Sequence, residues 1–190
     1  PNEALRLELD ETTAINVRMV DCVGYMVPGA IGHTENDLPR MVRTPWSEVE
    51  MPFEKAAEMG TQKVINEHST IGIVVTTDGT ISGLPRSSYI SAEERVVNEL
   101  RNIGKPFIIV LNTKELYSVE TQKLQLALEE KYDVPVIPMD VLNMSNEDLQ
   151  SLLERVLFEF PLRQINISLP KWVQALPSDH YLVAEILDRI

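Results

Sequence analysis

Apolar residues recur along the chain in two alternating periods, and the alternation predicts the elements. Ile71 to Val75, Phe107 to Leu111 and Val134 to Met139 are short apolar runs that predict buried strands. Between them the period lengthens to that of a helix. Phe53, Ala56, Ala57, Gly60, Val64, Ile65 and His68 share one face of a helix over 53–68, with Glu54, Lys55, Glu58 and Lys63 outside. On that face His68 reads as a satisfied core residue. Ser91 is placed to cap the next helix, with Glu94 in the capping-box position and Ala92, Val96, Leu100 and Ile103 as its inner stripe. Gly104 stops it and Pro106 bars continuation. A helix over 119–131 follows the second run. After the third, Ser145 caps a helix whose Leu149, Leu152, Leu153, Val156, Leu157 and Phe160 form the clearest amphipathic stripe. Strands and helices that alternate with short connections predict a parallel α/β sheet with helices on both faces.

The amino-terminal part has a different texture. Leu5, Leu7 and Leu9 alternate with Arg6 and Glu8, which predicts a half-exposed edge strand. Asp10 to Thr13 then turn into an antiparallel partner. That partner, Ile15 to Gly24, is apolar apart from Arg18 and predicts a strand inside a covered sheet, running out into Asp21-x-x-Gly24. From Gly24 to Pro52 the chain reads as an irregular loop, which Trp46 and Met41-Val42 should pack onto something. At the other end, 163–169 reads as extended, and Pro170 and Pro177 punctuate a change to a last helix from Tyr181. The expected domains are 1–169 and, over 170–190, the start of a further helical segment.

Composition narrows the partners. The 190 residues suit one domain with a sizeable core, and 44% hydrophobic with 24% charged residues is an ordinary soluble balance. Seventeen basic against 29 acidic residues leave a charge of −12, so nucleic acid and anionic membrane are poor partners for the surface as a whole. Cys22 is the one cysteine, which points to a reducing compartment and a small buried hydrophobe. No apolar run approaches a membrane span, the amino terminus has no signal-peptide pattern, and both ends read as cuts. His33, His68 and His180 have no metal-ligand spacing.

The chemistry starts from Asp21. In P-loop nucleotide hydrolases an aspartate at the end of such a strand holds Mg²⁺, and a glycine three residues on offers its backbone N–H to the terminal phosphate. Asp21 is then the metal aspartate and Gly24 the phosphate sensor, together the catalytic pair. Asp-x-x-Gly alone is common in chains of this length. No G-x-x-x-x-G-K-[ST] occurs, so the phosphate cradle and its lysine are missing.

The element order fits a GTPase-like P-loop scheme, and longer runs resemble one family closely. These are Val20 to Tyr25, Val27 to Ala30, Glu67 to Thr80, Ala92 to Val96, Gly104 to Ile108, and Leu169-Pro170-x-Trp172-Val173. Together they resemble the amino-terminal nucleotide-hydrolysing domain of the stage IV sporulation protein A family, over nearly the whole chain. The resemblance implies a P-loop NTPase three-layer sandwich with a mostly parallel sheet, here lacking the first strand and the P-loop. It implies ATP hydrolysis with Mg²⁺, coupled to self-assembly of the spore coat basement layer in the mother-cell cytoplasm, at the forespore outer membrane. Coat proteins and a small amphipathic membrane anchor are the implied partners, so the membrane is met only indirectly. The chain by itself is expected to be inactive.

Two departures from the GTPase pattern bear on specificity. The guanine-reading Asn-Lys-x-Asp is here Asn112-Thr113-Lys114-Glu115. Thr113 replaces the base-stacking lysine, and Glu115 sets its carboxylate a methylene too far. Loss of that fork costs ATP little and GTP more, making Asn112, Thr113 and Glu115 the base-side candidates. The same four residues also read as an ordinary strand-to-helix turn. Tyr25 stands where many GTPases carry the water-orienting glutamine. Arg40 and Arg43 are candidate charge-stabilising fingers or solvated surface residues. A regulatory GTPase of the ribosome-assembly type and a scaffold with a degenerate nucleotide fold are the alternatives.

Overall fold

The computed structural model describes residues 4–8, 14–35, 38–160, 170–174, 176–177 and 180–188. Leu5–Glu8 (β1) and Ala14–Val17 (β2) pair antiparallel, with Leu5 opposite Val17 and Glu8 opposite Ala14. The neighbours are those the alternation predicts; the length is not. β2 stops at Val17, and its residues alternate exposed and half-buried. An enclosed apolar strand needs partners on both edges and cover on both faces, and among the described residues β2 has β1 alone. The expected covered strand over 15–24 is therefore a short ribbon followed by open chain, and Cys22 is exposed rather than buried.

The expected loop over 25–52 is largely two small antiparallel hairpins. Thr34–Glu35 (β3) pairs with Leu38–Pro39 (β4), and Met41–Thr44 (β5) with Ser47–Pro52 (β6). In the second, β-branched Val42 and Thr44 alternate with Met41 and Arg43, and Arg43 Nε meets Glu50 Oε1 across the pair at 3.1 Å. Trp46, in its turn, lies against Gly60: a Cβ there would sit 3.6 Å from Trp46 Cζ2. The guanidinium of Arg40 lies 5.6 Å from the Phe53 ring centroid.

Phe53–Lys63 (α1) leaves β6 directly and continues as a π-helical turn, Val64–His68. The Lys105 ammonium donates to the Ile65 carbonyl and, at 3.2 Å, to Ser69 Oγ; Ser69 Oγ also donates to the Ile65 carbonyl at 3.2 Å. Side-chain donors that take a carbonyl of the last turn relax the i→i−4 ladder. The wider turn carries later residues off the inner face, so Ile65 is buried while His68 is 59% exposed beside Glu67. The core role expected for His68 is thus corrected.

Gly72–Thr77 (β7) follows, then a 3₁₀ turn at Arg86–Ser88 and Ile90–Asn102 (α2). Phe107–Asn112 (β8), Val119–Tyr132 (α3), Val136–Met139 (β9) and Asn146–Phe158 (α4) complete the alternation. The three strands form one parallel sheet in the order β7-β8-β9. On one face Val74, Ile109, Leu111 and Val136 pack with Val97 and Leu100 of α2 and Leu128 and Tyr132 of α3. On the other, Ile108, Val110 and Met139 pack with Leu152 and Val156 of α4. Each enclosed Ile or Leu of β8 is worth ~1.5–3 kcal/mol of burial. Ser118 and Ser145 cap α3 and α4, the latter in a full capping box with Asp148.

The helix α2 departs from its sequence pattern by one position. The 3₁₀ turn runs straight into it, so Ser91 lies inside the helix and the expected Ser91–Glu94 cap does not form. Glu93, Val97 and Leu100 face inward, Ile103 is 44% exposed, and Glu94 pairs with Lys131 at 2.6 Å. Pro1–Phe160 and Pro161–Ile190 are separate compact units. In the second, Lys171–Gln174 (α5) and Tyr181–Asp188 (α6) are helical, and the His180 and Tyr181 rings stack at 4.7 Å. The expected extended segment 163–169 and turn 10–13 lie outside the described residues.

Candidate functional site

Ligands of open parallel sheets bind beyond the carboxyl ends of the strands. There the loop after β7 is tied to the loop after β8 by Asp78. Its carboxylate accepts from Thr113 Oγ1 at 2.5 Å, Thr80 Oγ1 at 2.6 Å and the Thr80 N–H at 2.9 Å. Thr80 Oγ1 in turn accepts the Lys114 N–H at 3.1 Å, and Thr113 Oγ1 the Glu115 N–H at 2.9 Å. Burial alone pushes the Asp78 carboxyl up, but the hydroxyls of Thr113, Thr80 and Thr77 and the Thr80 N–H outweigh it and hold it below the usual aspartate value. Thr76 and Thr77, just before this loop, belong to β7 and are buried.

Of the base-side candidates, Thr113 is wholly enclosed, its hydroxyl turned to Asp78 and its N–H bonded to the Met139 carbonyl at 3.0 Å. Any part it plays toward a base runs through the shape of the loop, not through its side chain. Asn112 Oδ1 accepts the Val141 N–H at 3.2 Å and so fastens the loop after β9. Glu115 presents an exposed side chain. The structure brings these three to one end of the sheet.

Behind them lies a buried charge that sequence periodicity missed. Arg86 Nη2 lies 2.8 Å from Glu93 Oε1, in hydrogen-bond geometry, and 2.6 Å from Oε2, out of alignment. Tyr132 Oη donates to Glu93 Oε1 at 2.8 Å, and Arg86 Nη1 to Thr76 Oγ1 at 3.2 Å. The Glu93 side chain is 1% exposed and that of Arg86 19%. The signal available was a break in the apolar stripe of α2, seven residues after an arginine.

Asp21 and Gly24 lie in the open chain after β2. The Asp21 carboxylate is exposed and accepts no hydrogen bond from the described residues. Gly24 has φ +81°, a left-handed conformation that glycine takes without strain. Its N–H donates to Thr61 Oγ1 of α1 at 3.1 Å, and Thr61 is buried. The next residue is clamped. Tyr25 Oη donates to Glu99 Oε2 of α2, and the Arg95 guanidinium lies 3.9 Å from the Tyr25 ring centroid, between Glu58 and Glu99. Burial first, then the Glu99 carboxylate, push the phenol above its ordinary pKa, so it stays protonated as a donor. No hydrogen bond among the described residues joins 21–25 to 112–115.

Among the described residues no group of three or more His, Cys, Asp and Glu is arranged to hold a metal ion. Mg²⁺ asks for less: one or two carboxylates, water and substrate phosphates. The free oxygens of Asp21 fit that donor set. No helix of the described residues is long and apolar enough to cross a membrane.

Residues 1–161 match the family described as stage IV sporulation protein A, ATPase domain. Stage IV sporulation protein A of Bacillus anthracis is 53% identical over 182 residues, 96% of this chain. The proteins of the same name from Clostridioides difficile and Bacillus subtilis are 52% and 50% identical, over 98% and 96% of it. The chain spans 37–38% of these relatives' length. No solved structure matches. A mixed α/β unit with a parallel sheet, and a family match over the whole of that unit, lead to one conclusion: this chain belongs to the stage IV sporulation protein A ATPase-domain family.

Proposed function

We propose that the complete protein is a Mg²⁺-dependent ATPase whose hydrolysis drives its own assembly into the basement layer of a spore coat. Assembly takes place in the mother-cell cytoplasm, against the forespore outer membrane, with coat proteins and a small amphipathic membrane anchor as partners. The observation that carries this is membership of an ATPase-domain family over residues 1–161. The free carboxylate of Asp21, three residues before the Gly24 N–H, supports it. Asp21 would hold Mg²⁺, which when bound supplies charge neutralisation at the transferring phosphoryl group. The chain's own part is to present Gly24 to the terminal phosphate and the Asn112–Glu115 loop to the base.

In the same proposal the complete domain has a GTPase-like P-loop topology. A further strand carrying the phosphate loop pairs with the edge of β7 opposite β8, which has no strand partner among the described residues.

In the complete protein, Asp21→Ala is expected to cut ATP turnover by about 10²–10³-fold, the scale of a lost transition-state charge contact, with an unchanged circular dichroism spectrum. Wild-type turnover in this variant rejects the assignment. ATP is expected to be used in preference to GTP. Glu115→Asp, which restores the guanine-reading carboxylate reach, narrows the gap; equal use of both nucleotides by the parent protein counts against the base-side role.

A further inference from the structure

One polar group in the candidate site is already engaged where the proposed function needs it free. If Gly24 contacts the terminal phosphate, its N–H must be free, yet here it is donated to the buried hydroxyl of Thr61 at 3.1 Å. One N–H cannot serve both acceptors in good geometry. The surroundings are those of a pivot. On the carboxyl side Tyr25 is fixed by Glu99 and by Arg95, itself held by Glu58 of α1 and Glu99 of α2. On the amino side Asp21, Cys22 and Val23 are exposed. At Gly24 itself an added Cβ would meet no atom within 4 Å, so the backbone has room to swing.

We propose that Thr61 is a latch for the Asp21–Gly24 segment. With Tyr25 as the fixed anchor, the segment exchanges between a position in which Thr61 Oγ1 holds the Gly24 N–H and one in which that N–H reaches a terminal phosphate. The latch deepens the phosphate role of Gly24 and rests on it. The hydroxyl competes with the γ-phosphate and not with the α- or β-phosphates. Its effect is therefore confined to the triphosphate, and a ligand shifts such an equilibrium only by its differential affinity.

The test measures dissociation constants of the complete protein for a non-hydrolysable ATP analogue and for ADP, by calorimetry. Thr61→Val keeps the shape and removes the acceptor. It is expected to tighten the analogue about three- to tenfold, the worth of one net hydrogen bond, and to leave ADP unchanged. Thr61→Ser, which restores the acceptor, should return both values to wild type. If the valine variant does not fold, Thr61→Ala tests the same loss. An unchanged analogue-to-ADP ratio without the hydroxyl overturns the latch, as does a serine variant that behaves like valine. Gly24→Ala separates the two levels: it should weaken the analogue relative to ADP. If it does so while the Thr61 variants have no effect, the latch alone falls; if Gly24→Ala has no effect, the phosphate role falls with it.

Discussion

The parallel sheet and the hairpin-rich segment over 14–52 are built from similar apolar residues and use them in opposite ways. In β8, Ile108, Ile109, Val110 and Leu111 are at most 1% exposed, enclosed by α2 and α3 on one face and α4 on the other. In the amino-terminal segment Val23 is 65%, Ile31 96%, Leu38 67% and Val49 73% exposed. Among the described residues its strands pair two by two, and two-stranded ribbons are marginal in isolation. The sheet therefore carries the stability, and the segment that holds the candidate catalytic pair sits at the low-stability end of the molecule. Residues that must move to meet a ligand are drawn from that end. Local cover, and not hydrophobicity, separates the two regions.

The contrast can be broken most directly in β8. Ile109→Ala should destabilise the protein by about 2–5 kcal/mol in urea unfolding, the range for deleting an enclosed aliphatic side chain, whereas Val49→Ala in β6 should stay within about 0.5 kcal/mol. Equal effects would mean the hairpins belong to the same cooperative core.

Within the sheet unit, Glu93→Gln leaves the Arg86 guanidinium without its countercharge. We expect a loss of about 3 kcal/mol, the low end for breaking a buried pair, because Arg86 keeps some solvent contact. The double change Arg86→Met with Glu93→Met should recover most of it, since an apolar pair owes no desolvation cost. A single-variant loss as small as that of a surface residue would show the pair to be hydrated.

The smallest effect is a pH dependence at the carboxyl end of the sheet. Asp78 has a folded pKa below its ordinary 3.8. It therefore contributes stability that is complete above that value and lost as pH falls through the folded value. Asp78→Asn should remove this part of the acid sensitivity, so the difference in urea midpoint between wild type and variant shrinks as pH is lowered below 3.8. A difference constant across that window would mean the loop-to-loop bonds do not depend on the charge.

Much of this was legible along the chain. The three apolar runs became β7, β8 and β9 because helices cover the sheet on both faces, most completely at β8, and strands so covered read as continuous apolar runs. Ser145 became a cap because its partner, Asp148, is three residues away. The region 25–52 was misjudged because its prolines and glycines mask hairpins whose strands are two to six residues long. In the candidate site, the placement of Asn112 to Glu115 at the end of β8 followed from the strand. That Thr113 turns inward did not, because its partner Asp78 lies 35 residues earlier.

By itself the sequence determined the periods, and through them the order of elements, the faces of α4 and the end of the sheet where the loops gather. It also carried the runs that place the chain in its family. Tertiary structure decided the polar partners. Lys105 reaches back to Ile65 and opens a π-helical turn that turns His68 outward; Arg86 and Tyr132 draw Glu93 inward and shift the phase of α2; Thr61 takes the Gly24 N–H. Each of these bonds except Arg86–Glu93 joins residues more than 30 positions apart. An apolar face is set by local spacing, which any helix or strand repeats, whereas a hydrogen bond needs one particular acceptor within about 3 Å, and only the packed chain supplies it.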